Sequence, residues 1–280
     1  IPMAEITAQL VKQLREKTGA GMMECKSALV EAKGDLAEAE VVLRKRGLAS
    51  AAKKASRSAK QGLIGVYTGE GKGVLIEVNC ESDFVARTEE FQGMVASLAK
   101  LVADKEPADL AAFMSLPADE APSVEELLKA KIAKIGENMM VPRFALHKAA
   151  GVVGNYVHPG AQLSVLVDVT TKNPATADKP EFKELLHDIA MQVAAADPKF
   201  LNKEQVTTEF LEREKDIQRA RALAEGKPEK IVDKVVEGRM SKYYEEVCLL
   251  EQPFIKENSL TINQLLAEKS KALGDEIGVA

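Results

Sequence analysis

The chain has 280 residues, of which 46% are hydrophobic and 29% charged, with a net charge of −5. That length and composition suit two or three compact units with substantial cores and exclude a chain disordered throughout. The acidic balance argues against a direct nucleic-acid partner, which needs clustered Lys and Arg, and no apolar run approaches the roughly 20 residues that span a bilayer.

The N-terminus lacks the basic-then-apolar order of a signal peptide, so the expected location is cytoplasmic. Ile1-Pro2 precede Met3-Ala4-Glu5, which reads as a translational start, and they are set aside from fold reasoning. Ile6, Leu10, Val11 and Leu14 recur at helical spacing, Thr7 can cap, and Ile6 with Val11 has the spacing of a hydrophobic staple. Gly19 ends this helix, a second runs from about Met22 to Ala32, and Asp35 with Glu38 starts a third that is expected to end near Gly47. Three short helices make a small bundle over 3–55, which buries too little surface to be robust alone, so part of its apolar face can serve a partner. Residues 3–57 carry eleven Lys or Arg against seven Asp or Glu, a local +4. The run Lys53 to Lys60 closes this stretch, and a basic linker is expected at 56–62.

Leu63–Tyr67 and Gly73–Asn79 flank the turn residues Thr68-Gly69-Glu70-Gly71-Lys72 and read as a hairpin. Phe91, Met94, Val95, Leu98 and Val102 mark a helix, and Val124, Leu127, Leu128, Ile132 and Ile135 mark another up to Gly136. Between them Pro107, Pro117 and Pro122 predict an irregular segment. A second set of strands, Val152–His158 and Leu163–Val169 around Pro159-Gly160, precedes a helix from about Pro180 to Ala196. The expected fold class is α+β, with two related subdomains of antiparallel strands and helices: 63–143, and 144–200 completed by 245–280.

Between them in the chain, 201–244 reads as an inserted αα-hairpin, turning at Glu225-Gly226-Lys227-Pro228. Phe210, Ile217 and Ala224 repeat at seven, and Val232, Val236, Met240 and Tyr243 at four, four and three, so these residues are expected to form an antiparallel coiled-coil seam. Val247–Leu250 is expected to return the chain to the second sheet, with Gln252-Pro253-Phe254 closing that strand before a last helix over Ile262–Ala272.

No phosphate loop, nucleophile elbow or metal-spaced histidine cluster occurs, so no catalytic residue, metal site or cofactor is expected and the chain does not read as an enzyme. Cys25, Cys80 and Cys248 are odd in number, far apart and without CxxC spacing, which reads as reduced, mostly buried thiols; a nucleophilic cysteine is the weakest reading. Ser82-Asp83-Phe84-Val85 stands out because it follows a strand and precedes an amphipathic helix, where one aromatic ring and one carboxylate can be presented together. The plain alternative is a core phenylalanine beside a helix-capping aspartate. Met22 and Met23 can simply pack the bundle, although adjacent helical residues diverge, so one exposed methionine is expected.

Thr18-Gly19-Ala20-Gly21-Met22-Met23, Cys25-Lys26-Ser27-Ala28-Leu29 and Glu81-Ser82-Asp83-Phe84-Val85-Ala86 together closely resemble bacterial elongation factor Ts. The likeness continues through Ala133 to Asn138, Val236 to Met240 and Gln252-Pro253-Phe254, and covers Met3 to about Leu273. Ser82 replaces the Thr of the family's T-D-F-V-A loop and keeps its hydroxyl. The resemblance implies that the N-terminal bundle is of the ubiquitin-associated (UBA-like) type. It also implies exchange of guanine nucleotide on elongation factor Tu, in its GDP-bound and nucleotide-free forms, with the loop wedging into the nucleotide domain and displacing Mg2+. Arg15, Met22 and Met23 would meet the same domain, and His158, in Tyr156-Val157-His158-Pro159-Gly160, would lie near the partner's third domain. The arm or core could support a homodimer. The rival reading is an assembly scaffold built on the arm, and whether Phe84 is exposed or buried discriminates between the two. Relatives continue after the last helix into another strand and a C-terminal helical module, whereas this sequence stops at Ala280.

Overall fold

The computed structural model describes residues 6–119 and 121–280; the start read at Met3-Ala4-Glu5 lies outside them. The chain divides into two compact units. The first holds the chain up to Tyr67 with Val74–Leu146 and Gly160–Gln162, and the second holds Thr68–Gly73, His147–Pro159 and Leu163–Ala280.

The first unit begins with α1 (Ala8–Thr18), α2 (Met22–Glu31) and α3 (Leu36–Lys54). Thr7 caps α1 by accepting from the Leu10 N–H, and Gly19 ends it in the left-handed conformation. Asp35 caps α3 by accepting from the Glu38 N–H. Val11, Leu14, Cys25, Ala28, Leu29, Ala39 and Val42 form the bundle's core, with Ile6 packed against it. Gly47 does not stop α3, contrary to the sequence expectation, and the helix carries Lys53 and Lys54 in its last turn, shortening the basic linker. The glycine is there for close approach: a Cβ at Gly47 would stand 3.1 Å from the Ala133 Cβ on the facing helix.

β1 (Gln61–Gly69) and β2 (Lys72–Cys80) form a hairpin longer than expected, turning on Glu70 and Gly71 alone. Both turn residues have positive φ, 52° and 70°, as a two-residue turn matched to strand twist requires. One turn of helix, α4 (Asp83–Ala86), leads into α5 (Glu89–Lys105); the segment expected to be irregular contains α6 (Leu110–Met114) before α7 (Val124–Ile135). β3 (Met139–Lys148), absent from the sequence expectation, completes a sheet of order β1-β2-β3. Val74, Ile76, Val78 and Cys80 alternate inward from β2 and pack with Phe91, Met94, Leu98 and Val102 of α5 and Val124, Leu128 and Ile132 of α7.

In the second unit, β4 (Val152–Val157) pairs antiparallel with β5 (Ser164–Thr171), with Val152 opposite Val169 and Val157 opposite Ser164. α8 (Pro180–Ala196) covers them, and Phe182, Leu185, Leu186 and Ile189 meet Val165, Val167 and Val169. The arm consists of α9 (Thr208–Ala224) and α10 (Glu229–Val247). Its seam differs from the expected heptad. Ala222, Val232, Val236 and Met240 are buried with Leu211, Val235 and Tyr243 against them, whereas Ile217 is exposed. Phe210 instead lies between the rings of Phe200 and Tyr243, at centroid distances of 5.8 and 6.3 Å.

After the arm the chain does not re-enter the main sheet as expected. Leu249–Glu251 is a 3-10 turn, and β6 (Pro253–Phe254) pairs with β7 (Glu257–Thr261) as a separate ribbon. α11 (Ile262–Leu273) and β8 (Ile277–Val279) follow, and β8 adds antiparallel to β5, with Val169 opposite Val279. A strand after the last helix, which the resemblance places in relatives, is therefore present in this chain.

Candidate partner-binding site

The tetrapeptide Ser82 to Val85 forms a helical turn, not the end of an extended strand, and its four side chains have four different environments. Ser82 is the N-cap: its Oγ accepts from the Val85 N–H at 3.4 Å. The same hydroxyl donates to Glu137 Oε1 at 2.5 Å, and the Ser82 N–H donates to Glu137 Oε2 at 3.0 Å. Asp83 pairs with Arg87 one turn on, at 2.9 Å. Val85 turns inward against the first unit's core, beside the buried Ala86. Phe84 alone projects, with 82% of its surface exposed. A lone phenylalanine that exposed is notable, because full burial of such a side chain is worth about 1.5 to 3 kcal/mol. The exposure of this ring is what distinguishes the two sequence readings, and the ring is not a core residue.

The thiol at the base of the turn is buried. Burial pushes Cys80 up to about 11, reinforced by the nearby Glu137 carboxylate, and its Sγ donates to the Ser82 carbonyl at 3.1 Å. Burial also raises Cys248, and all three cysteines are buried and free, as the sequence suggested. Among the described residues no cluster of His, Cys, Asp or Glu could hold a metal ion, and no helix is long and apolar enough to cross a membrane.

On the bundle, one exposed methionine is expected from the sequence, and both are exposed, Met22 by 44% and Met23 by 75%. They occupy the first two positions of α2, ahead of Cys25, Ala28 and Leu29, which take the inward face. Arg15 lies on the exposed surface of α1's last turn. The α1–α2 turn and the start of α5 share one side chain. The Lys134 stem passes 2.9 Å from where a Gly19 Cβ would stand, and its ammonium meets Glu90 at 2.8 Å, next to Lys131 at 2.7 Å. Those lysines hold the Glu90 carboxyl below the usual carboxylate range. Arg44 of α3 adds a pair to Glu126 of α7 at 2.7 Å.

His158 lies in the second unit, exposed at the β4–β5 turn, where its N–H donates to the Leu163 carbonyl at 2.9 Å. The Tyr156 hydroxyl stands 3.1 Å from His158 Nδ1, and the Tyr156 ring meets His187 edge-on at 5.6 Å.

The family model described as "Elongation factor TS" matches residues 81–278. The chain is 47% identical to an elongation factor Ts of Clostridium perfringens (strain SM101 / Type A), covering 98% of this chain and 90% of that protein. It is likewise 47% identical to one of Desulfovibrio desulfuricans, over 99% and 96%, and 49% identical to one of Solibacter usitatus, over 99% and 89%. The chain belongs to the elongation factor Ts family. The α+β fold agrees with that membership, and elongation factor Ts relatives place the chain among translation elongation factors. The matched span opens at Glu81, the residue before the capped turn. The sequence alone assigns no role to Glu137, Glu90 or Lys134. The available signal was a Glu-Asn pair, Glu137-Asn138, directly after the helix-ending Gly136.

Proposed function

We propose that this chain is a guanine nucleotide exchange factor for elongation factor Tu. It binds the GDP-bound form, dislodges Mg2+, promotes release of GDP and leaves when GTP enters, contributing no catalytic side chain of its own. The observation that carries this reading is Phe84, held outward at 82% exposure on a turn whose other side chains are tied internally. A scaffold has no need of such a ring, so this exposure favours exchange over assembly through the arm.

The step works by differential binding: release accelerates only if Phe84 and its neighbours meet a distorted, Mg2+-poor partner better than the nucleotide-bound one. Burying the ring alone supplies about 1.5 to 3 kcal/mol, or roughly one to two decades in an equilibrium constant. Greater acceleration draws on Arg15, Met22 and Met23 against the same nucleotide domain, and on His158 against another. Asp83 contributes its carboxylate near the displaced ion, and Ser82 and Val85 contribute mainly by fixing the turn. Such a factor acts in the cytoplasm.

The test is the rate at which fluorescent GDP leaves elongation factor Tu in Mg2+, with and without this chain. Marked acceleration, lost in Phe84→Ala, is expected. Binding without acceleration, or acceleration that survives Phe84→Ala, would overturn the assigned role of the turn.

A further inference from the structure

The geometry points to Glu137 as the positioning residue that keeps the Phe84 turn formed and aimed. This inference rests on the exchange reading of that turn. α4 has only four residues, and a helical segment that short does not persist by its own hydrogen bonds, because nucleation fixes several dihedrals for each early bond. Something outside the turn must hold it.

Glu137 takes both donors of the N-cap residue on one carboxylate: the Ser82 N–H at 3.0 Å and the Ser82 hydroxyl at 2.5 Å. With its proton committed to Glu137, the Ser82 oxygen presents its lone pairs to the Val85 N–H, which is the capping bond itself. The reverse exchange lies beside it. Glu81 Oε1 accepts the Asn138 N–H at 2.6 Å, and the buried Asn138 side chain donates to the Arg57 carbonyl at 2.9 Å. Each strand junction thus gives a backbone N–H to an acidic side chain of the other, 81–82 to 137–138 and back. Hydrogen bonds to an ionised acceptor are shorter and stronger than neutral ones, so this crossed clamp is well suited to fixing a junction.

The residue at the tip makes a positioning role more than a structural convenience. Phe84 itself adds nothing to the core, yet a wedge that arrives disordered must be ordered on docking, at a cost in every encounter. Loss of Glu137 is therefore expected to slow the step after encounter more than the encounter itself.

The experiment compares Glu137→Ala with the unaltered full chain, following GDP release from elongation factor Tu over a range of factor concentrations. The maximal rate should fall by about tenfold or more, the half-saturating concentration should change much less, and Glu137→Gln, which keeps one acceptor oxygen, should fall between. In a Phe84→Ala background, Glu137→Ala should add much less loss than it causes in the unaltered chain, the remainder being the share of Asp83 on the same turn. Amide hydrogen exchange over 82–87 should quicken in Glu137→Ala while the buried helices keep their protection. Unchanged amide exchange there, or losses that add in full to those of Phe84→Ala, would overturn the assignment. If the unaltered chain releases no GDP, the exchange reading fails on its own, while amide exchange still decides whether Glu137 holds the turn. Should Glu137→Ala not fold, Glu137→Gln and Ser82→Ala carry the same measurements.

Discussion

His147 Nε2 lies 2.8 Å from Asp168 Oδ2, and the same buried carboxylate accepts the N–H groups of Ala150 at 2.7 Å and Gly151 at 2.9 Å. Burial alone would raise this acid, but the hydrogen bonds from His147, Ala150 and Gly151 outweigh it and hold Asp168 below the usual range. Its stabilisation is therefore complete above the unfolded value, about 3.9, and is lost as pH falls through the lower folded value. Urea unfolding of the chain at stepped pH should show an acid-side loss that Asp168→Asn removes. At neutral pH that variant should be less stable by about 1.5 to 3 kcal/mol, the worth of hydrogen bonds to a charged group. An acid limb unchanged in the variant would assign the loss to other groups.

Phe84 and Phe91, seven positions apart, differ in almost every physical respect. Phe84→Ala removes an exposed ring and should shift stability by no more than about 0.5 kcal/mol. Phe91→Ala empties a fully buried site beneath β2 and should cost about 3 to 5 kcal/mol. Denaturant midpoints of the two variants provide the comparison, and global unfolding of Phe84→Ala would mean that the ring belongs to a core after all.

Gly47→Leu is expected to force α3 away from α7, since even a Cβ would meet the Ala133 methyl at 3.1 Å. Overpacking of this kind costs about 1 to 3 kcal/mol, against the roughly 1 kcal/mol that replacing a mid-helix glycine returns. Thermal unfolding followed by circular dichroism should therefore show a net decrease; an increase would mean that the helix pair can spread freely.

Thiol labelling at neutral pH should find no fast-reacting cysteine in the folded chain, and three equivalents once it is unfolded in denaturant. Cys80 carries the sharpest expectation, because a thiol held at about 11 is almost wholly protonated at pH 7.5. A fast native phase assigned to Cys80 by mass spectrometry would contradict its closed environment.

Features governed by local chemistry were legible in the sequence. Thr7, Asp35 and Gly19 cap or stop helices through contacts within a few residues, and the inward stripe of α5 follows from its own spacing. What escaped depends on distant partners. A glycine reads as a stop unless the facing Ala133 is known, so the sequence alone ends α3 near Gly47. Pro142 argues against a strand, but β3 is an edge strand of its sheet, where the missing N–H can be tolerated. The spacing of Phe210, Ile217 and Ala224 imitates a seam, whereas Phe210 is claimed by Phe200 and Tyr243 and the buried α9 position is Ala222. At the candidate site the exposed ring was anticipated, while the clamp was not, because Ser82 and Glu137 are brought together only by the tertiary fold.

Lys134, between Gly19 and Glu90, has a further consequence for any surface that engages the bundle and the Phe84 turn together. A tether of this kind raises the effective concentration of the second contact once the first has formed, so two weak attachments can behave as one strong one. Occupancy of either attachment alone would then be a poor guide to the lifetime of the complex, which depends on how firmly Lys134, the Arg44–Glu126 pair and the packing of Gly47 on Ala133 together couple them.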